Sequence, residues 1–189
     1  MFPAAKRPAA GLKVRESKAL GVFVDGITKH AVQSYEEIDK IMKIGESNRT
    51  KGATLMNADS SRAHTVIQIE FKSIINFQGK KSQKLSVINL IDLAGSEKAG
   101  QTGATGDRLK EGSEINKSLS CLGDVIKALV DKQNGKKNIV IPYRNSTLTR
   151  MLQNALGGNS KTYMICAIRP GAKYFDETVN TLKYADRAK

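Results

Sequence analysis

Two periodicities alternate along the chain. In "HTVIQIEFK", residues 64–72, Ile67, Ile69 and Phe71 alternate with Gln68, Glu70 and Lys72, which predicts a half-exposed β-strand. "LSVINLIDL", residues 85–93, is almost continuously apolar, the pattern of a strand covered on both faces. "INFQGKKSQK" between them reads as a polar, hairpin-like loop, and "TYMICAI", residues 162–168, reads as another buried strand closed by Pro170. Helical spacing marks four other stretches. Ser34 and Glu37 form a capping box, followed by a face of Tyr35, Ile38, Ile41 and Met42 that predicts a helix ending near Gly45. Ile115, Leu119, Leu122, Ile126 and Leu129 stripe a helix beginning at Ser113. Leu148, Met151, Leu152 and Ala155 mark a short helix stopped by Gly157-Gly158, and Phe175, Val179 and Leu182 mark a last one. Short apolar clusters between Leu12 and Val32, broken by Gly21 and Gly26, predict small strands and turns, and "GQTGATGDRLKEG" predicts a flexible stretch. Covered strands alternating with amphipathic helices predict an α/β fold of three layers with a central sheet. No repeat is visible.

Composition adds one directional fact. The 189 residues, 40% hydrophobic and 26% charged, have room for one globular domain with a real core. No apolar run approaches a membrane-spanning length, and the Pro/Ala-rich start, residues 1–10, reads as a loose leader without the apolar centre of a secretory signal. Cys121 and Cys166 lie in apolar stretches without metal or redox spacing and read as small buried hydrophobes in a reducing compartment. The net charge of +13 is unevenly spread. From Lys132 to Lys173 there is no acid, while Lys132, Lys136, Lys137, Arg144, Arg150, Lys161, Arg169 and Lys173 are basic. Most basic stretches are solvated faces. A one-signed run this long favours docking on a polyanion, and the scarcity of interleaved aromatics favours an acidic protein surface over nucleic acid.

Candidate chemistry begins at Asp92. Ligands of open α/β sheets gather beyond the carboxyl ends of strands, where Asp92 stands with Gly95 three positions on. Strand-Asp-x-x-Gly can sense a terminal phosphate: the Asp holds a water on Mg²⁺, and the side-chain-free Gly amide approaches a phosphate oxygen. Alone the pattern is weak, because a buried Asp making a turn looks the same. "NADSSRAH", residues 57–64, adds two hydroxyls, a guanidinium and an imidazole just before the half-exposed strand. A Ser hydroxyl can ligate Mg²⁺, and Arg62 can pair bidentately with a carboxylate, for which Glu97 is the candidate. His64 reads as a satisfied structural histidine.

These two segments resemble the switches of kinesin motor domains, "NADSSRAH" the first and "DLAGSE" the second. "INKSLSCLG", "IPYRNSTLTRML", "LGGNSKT" and "ETVNTLKYADRAK" follow in the kinesin order and spacing, so the resemblance covers residues 11–189. The wording of "GATGDRLKEGS" and "YADRAK" is similar to the vesicle-transporting branch. The resemblance implies a three-layer P-loop NTPase fold with a central, mostly parallel sheet, incomplete on its N-terminal side. It implies ATP and Mg²⁺ as cofactors, microtubules as partner, a cytoplasmic, cytoskeletal location and oligomerisation through segments not present. Asn57, Ser60, Ser61 and Gly95 would face the nucleotide, Ser61 holding Mg²⁺ and Ser60 positioning the attacking water through its backbone. Arg62 and Glu97 would bridge the two switches, Asp92 would bind a Mg²⁺-coordinated water, and the Gly95 amide would sense the γ-phosphate. Asn116 would belong to a relay helix, and Lys136, Lys137, Tyr143, Arg144 and Arg150 would face the microtubule. Two positions depart from the family pattern. Ala63 stands where Ser is usual, removing a hydroxyl from the nucleotide side, and Asn145 where Asp is usual, removing a negative charge from the side facing an acidic polymer.

The chain contains no G-x-x-x-x-G-K-[ST] phosphate loop. "GQTGATGDR" lacks the Lys-Ser/Thr ending, and in "LGGNSKT" Ser160 rather than Gly precedes Lys161. The chain therefore resembles the C-terminal part of a motor domain. In kinesins the phosphate loop and first strands lie upstream of these motifs, and their absence would leave edge and apolar surface exposed. Alone, these residues are expected to bind ATP poorly and to be inactive as a microtubule-stimulated ATPase. A second reading is a non-motor microtubule-binding module without hydrolysis. A GTPase reading fails for want of an Asn-Lys-x-Asp base-reading motif, and nucleic-acid binding has only the charge behind it.

Overall fold

The computed structural model describes residues 11–18, 21–56, 63–95 and 107–188. The loose leader expected at 1–10 lies outside these residues, as do Asn57, Ser60, Ser61, Arg62 and Glu97. In chain order the elements are β1 (Val14–Ser17), β2 (Gly21–Val24), α1 (Tyr35–Met56), β3 (Thr65–Phe77), β4 (Lys80–Asp92), α2 (Asp107–Gln133), α3 (Thr147–Met151) and α4 (Phe175–Ala188), with single 3₁₀ turns at Tyr143–Asn145 and Ala172–Tyr174. No described helix is long and apolar enough to cross a membrane.

Both described sheets are antiparallel pairs, β1 with β2 and β3 with β4. The expected polar loop between β3 and β4 shrinks to two residues. Gln78 and Gly79 both have positive φ, 47° and 76°, so the turn twists with the paired strands and the ladder runs from Thr65↔Asp92 to Phe77↔Lys80. β4 is a strand, as its apolar run requires, but it is not covered on both faces. Among the described residues the pair has no third strand, and Leu85, Val87, Ile88 and Leu90 are exposed. "TYMICAI" is not a strand: residues 161–170 are irregular and Ile165 is 95% exposed. A strand needs a neighbour for its backbone groups, and no described strand pairs with this segment. Its ends are pinned instead by side chains, Thr162 Oγ1 donating to the Ala155 carbonyl and Thr178 Oγ1 to the Arg169 carbonyl.

Two helices are longer than their apolar stripes. α1 starts where Ser34 predicts, with the Glu37 amide donating to Ser34 Oγ (3.4 Å) and Glu37 Oε2 accepting from the Gln33 amide (2.8 Å). It then passes through Gly45 to Met56. An interior glycine weakens a helix by only about 1 kcal/mol, and Gly45 does not take the left-handed conformation that ends one. α2 begins at Asp107, six residues ahead of Ser113, so the tail of the expected flexible stretch is helical.

The core sits on α2. Leu122 and Ile126 pack against Leu148 and Leu152, with Leu93, Leu156 and Tyr184 closing around them, and Val125 is fully buried. α3 is capped by Ser146 and Thr149 reciprocally. Thr149, wholly buried, donates its hydroxyl to the Tyr143 carbonyl at 2.7 Å. α3 ends at Met151 with Leu152 as its C-cap, short of the expected stop at Gly157-Gly158. At Gly157 nothing larger fits: a Cβ there would lie 2.4 Å from Leu129 Cδ2, and its φ is +76°. α4 lies on α2 through Tyr184, whose ring edge meets Gly123 and whose hydroxyl is pushed well above the usual tyrosine range by burial and by Asp124. Cys121 is buried and Cys166 half-buried, both free.

Candidate functional site

The antiparallel register sets Asp92 directly across from Thr65, at the open end of the β3–β4 pair. The carboxylate is not buried: its side chain is 75% exposed. Its counter-charge comes from α1, where Arg49 Nη1 donates to Thr65 Oγ1 at 3.1 Å and to Asp92 Oδ2 at 3.4 Å. A long, exposed contact of this kind leaves most of the carboxylate's acceptor capacity open to water or to a hydrated cation. Arg49 is a site residue the sequence reading missed. Nothing in a helix stripe marks a polar residue 43 positions from its partner.

Beyond Asp92 the backbone turns inward. Leu93 packs on the core, Ala94 is buried, and Gly95 is half-buried. The Ala94 amide donates to His64 Nδ1 at 3.0 Å, and His64 Nε2 lies 2.7 Å from Ser118 Oγ on α2. His64 is therefore the satisfied structural histidine its sequence context predicts. Its pKa is lowered by burial, because the charged imidazolium is poorly solvated there. Asn116 lies half-buried on the same helix, two residues before Ser118.

Arg144 and Arg150 lie elsewhere, at α3 and the turn before it, where the hairpin β1–β2 meets α3. Arg144 Nη2 pairs with Glu16 Oε2 at 2.9 Å, and its side chain remains 80% exposed. Glu16, Ser17, Lys18, Arg144 and Arg150 line an open cleft of about 480 Å³. Arg150 Nε is buried there without an acceptor among the described residues. Lys136 bonds Asp131 at 2.6 Å and Lys137 is exposed. The Tyr143 hydroxyl donates inward to the Leu156 carbonyl, and burial raises its pKa. The hairpin's share in this face was not read from sequence, since Glu16 and Arg144 are 128 residues apart.

The kinesin motor domain family model matches residues 4–189. The chain is 52% identical over 181 residues to human kinesin-like protein KIF13B, covering 94% of this chain and 10% of that protein. It is 51% identical to kinesin-related protein 1 of Dictyostelium discoideum, covering 95% of this chain and 8% of that one. Among solved structures, a KIF14 dimer with AMP-PNP in complex with a microtubule superposes with a TM-score of 0.85 at 43% identity, over 94% of this chain and 50% of that one. A fast kinesin superposes at 0.79 and 42% identity, over 95% and 49%. The fold is that of P-loop NTPases of the motor type. Within that class the chain belongs to the kinesin motor domain family. It spans about half the length of these motor domains and about a tenth of the full relatives.

Proposed function

We propose that the chain supplies the switch, relay and track-binding portion of an ATP-dependent microtubule motor, working in the cytoplasm on the cytoskeleton. The observation that carries this reading is the placement of Asp92 and Gly95 at the open end of β4, joined through His64 to α2. The loop that would sense the nucleotide is thus hydrogen-bonded through His64 to the helix that would report its state. The donor set fits a magnesium nucleotide: Asp92 presents an exposed carboxylate, the oxygen ligand that Mg²⁺ takes directly or through water. Asp92 would hold the ion's water, Ser61 the ion itself, and Asn57, Ser60 and the Gly95 amide the phosphates. Magnesium supplies neutralisation of charge on the transferring phosphoryl group. Arg62 and Glu97 would close the two switches over it.

Lys136, Lys137, Tyr143, Arg144 and Arg150 would meet the acidic microtubule surface, with charge steering the encounter more than fixing the affinity. The test is microtubule-stimulated ATP turnover by the full-length protein. Asp92→Ala is expected to lower turnover by roughly 100-fold or more, the scale of losing one transition-state electrostatic contact, while leaving co-sedimentation with microtubules. Binding to microtubules that is insensitive to nucleotide, with no turnover in the unaltered protein, would overturn the motor reading.

A further inference from the structure

We propose that His64 is a positioning residue that couples the Gly95-bearing loop to helix α2, so that a displacement of one carries the other. Its use in a motor cycle rests on the reading above, but the coupling itself is a matter of three contacts. The Ala94 amide can only donate, so His64 Nδ1, 3.0 Å away, accepts and carries no proton. The ring proton is therefore on Nε2, 2.7 Å from Ser118 Oγ. Ser118 in turn gives its own proton to the Ile115 carbonyl at 2.6 Å, which leaves its oxygen free to accept from Nε2. The direction is fixed from end to end: Ala94 amide to His64, His64 to Ser118, Ser118 to Ile115. No other tautomer satisfies all three contacts.

The chain of bonds joins three segments distant in sequence, 30 residues between His64 and Ala94 and 54 between His64 and Ser118. A planar ring holding a bond at each nitrogen is stiff, whereas the packing of Leu93 on the α2 cluster is not directional. Ala94 directly precedes Gly95, so a pull on the Gly95 amide reaches the ring through one residue's dihedrals. It must then stretch the Ala94 bond or turn the ring against Ser118. The Ile115 carbonyl at the far end adjoins Asn116, the residue that the kinesin resemblance would put in the relay.

Two readouts in the full chain test this without nucleotide or microtubule, so failure here and failure of motor turnover are separate results. The ¹⁵N spectrum of His64 is expected to show an unprotonated Nδ1 and a protonated Nε2. Ser118→Ala removes the far acceptor while leaving the imidazole and the Ala94 amide chemically unaltered. Coupling then requires the Ala94 amide to exchange with solvent roughly three- to tenfold faster, the worth of one net hydrogen bond. The Ile67 and Ile69 amides of the β3–β4 ladder should hold. Ser118→Thr, which restores the hydroxyl, is expected to restore protection. His64→Asn, which keeps an acceptor near the Nδ1 position, should leave Ala94 protected but deaf to Ser118→Ala. Unchanged Ala94 exchange in Ser118→Ala, or an equal rise at Ala94, Ile67 and Ile69, would overturn the proposal.

Discussion

At His64 the chemistry of one ring decides how stability responds to pH. Burial lowers its pKa below the ordinary histidine value near 6.5. The unfolded chain therefore takes up the proton first as pH falls. The contribution of the neutral ring is complete above about pH 6.5 and is lost as pH drops through the lower folded value. Protonation also sets an N–H at Nδ1 against the Ala94 amide, two donors face to face. Urea midpoints measured from pH 7.5 down to 5 should fall more steeply for the natural chain than for His64→Gln, which has no titrating ring; parallel profiles would remove His64 from the account. The structural role of this histidine was legible beforehand, because an imidazole next to an apolar strand is more often satisfied than reactive. Its partners were not, since Ala94 and Ser118 become neighbours only through tertiary folding. Asp92 is the converse case. Its position at a strand end could be read from the apolar run before it, but its exposure and its approach to Arg49 could not.

Elements whose stripes pack on one another were read well, and elements that depend on a neighbouring strand were not. α2 and α3 bury residues their spacing singles out, Leu122, Ile126, Leu148 and Leu152, so there periodicity and packing agree. α4 does not: Phe175 and Leu182 of its stripe are exposed, and it meets α2 through Tyr184 instead. "TYMICAI" has the composition of a covered strand and no ladder partner among the described residues, and composition alone cannot supply one. Helix ends were misplaced at Gly45 and Ser113, because a glycine or a serine punctuates a helix only where the backbone departs from helical geometry. The agreement in the core makes a quantitative expectation. Leu122 is 4% exposed and central to the cluster, so Leu122→Ala should cost about 2–5 kcal/mol of unfolding free energy. Gly157→Ala should also destabilise, because its Cβ would collide with Leu129 and the residue would sit at positive φ. Equilibrium denaturation of the two variants checks both. A loss below about 1 kcal/mol in Leu122→Ala would mean that the α2–α3 contact is not the core.

Taken whole, the molecule carries two surfaces that should answer salt in opposite directions. The first is electrostatic: a net charge of +13 with an acid-free stretch, residues 132–173, that includes the exposed Arg144. The second is apolar. Cross-strand register puts Ile67 opposite Leu90 and Ile69 opposite Ile88, and the two-residue alternation brings Phe71, Ile75 and Phe77 onto that same face of the ribbon. Phe71 and Phe77 are 61% and 70% exposed, and although Ser73 and Lys84 interrupt it, the face carries more exposed apolar surface than soluble domains usually leave uncovered. At low ionic strength, like charge keeps copies of the chain apart while the patch draws them together. Raising salt shortens the screening length from about 10 Å at 0.1 M to about 3 Å at 1 M and removes only the repulsion. Self-association, followed by light scattering or sedimentation velocity, is therefore expected to rise with salt, while the microtubule co-sedimentation that the proposed function entails falls. Phe71→Lys and Ile88→Lys, placed on the exposed face, should suppress the first trend and spare the second. Self-association that falls with salt would show the basic stretch, not the ribbon, to be the surface through which copies meet.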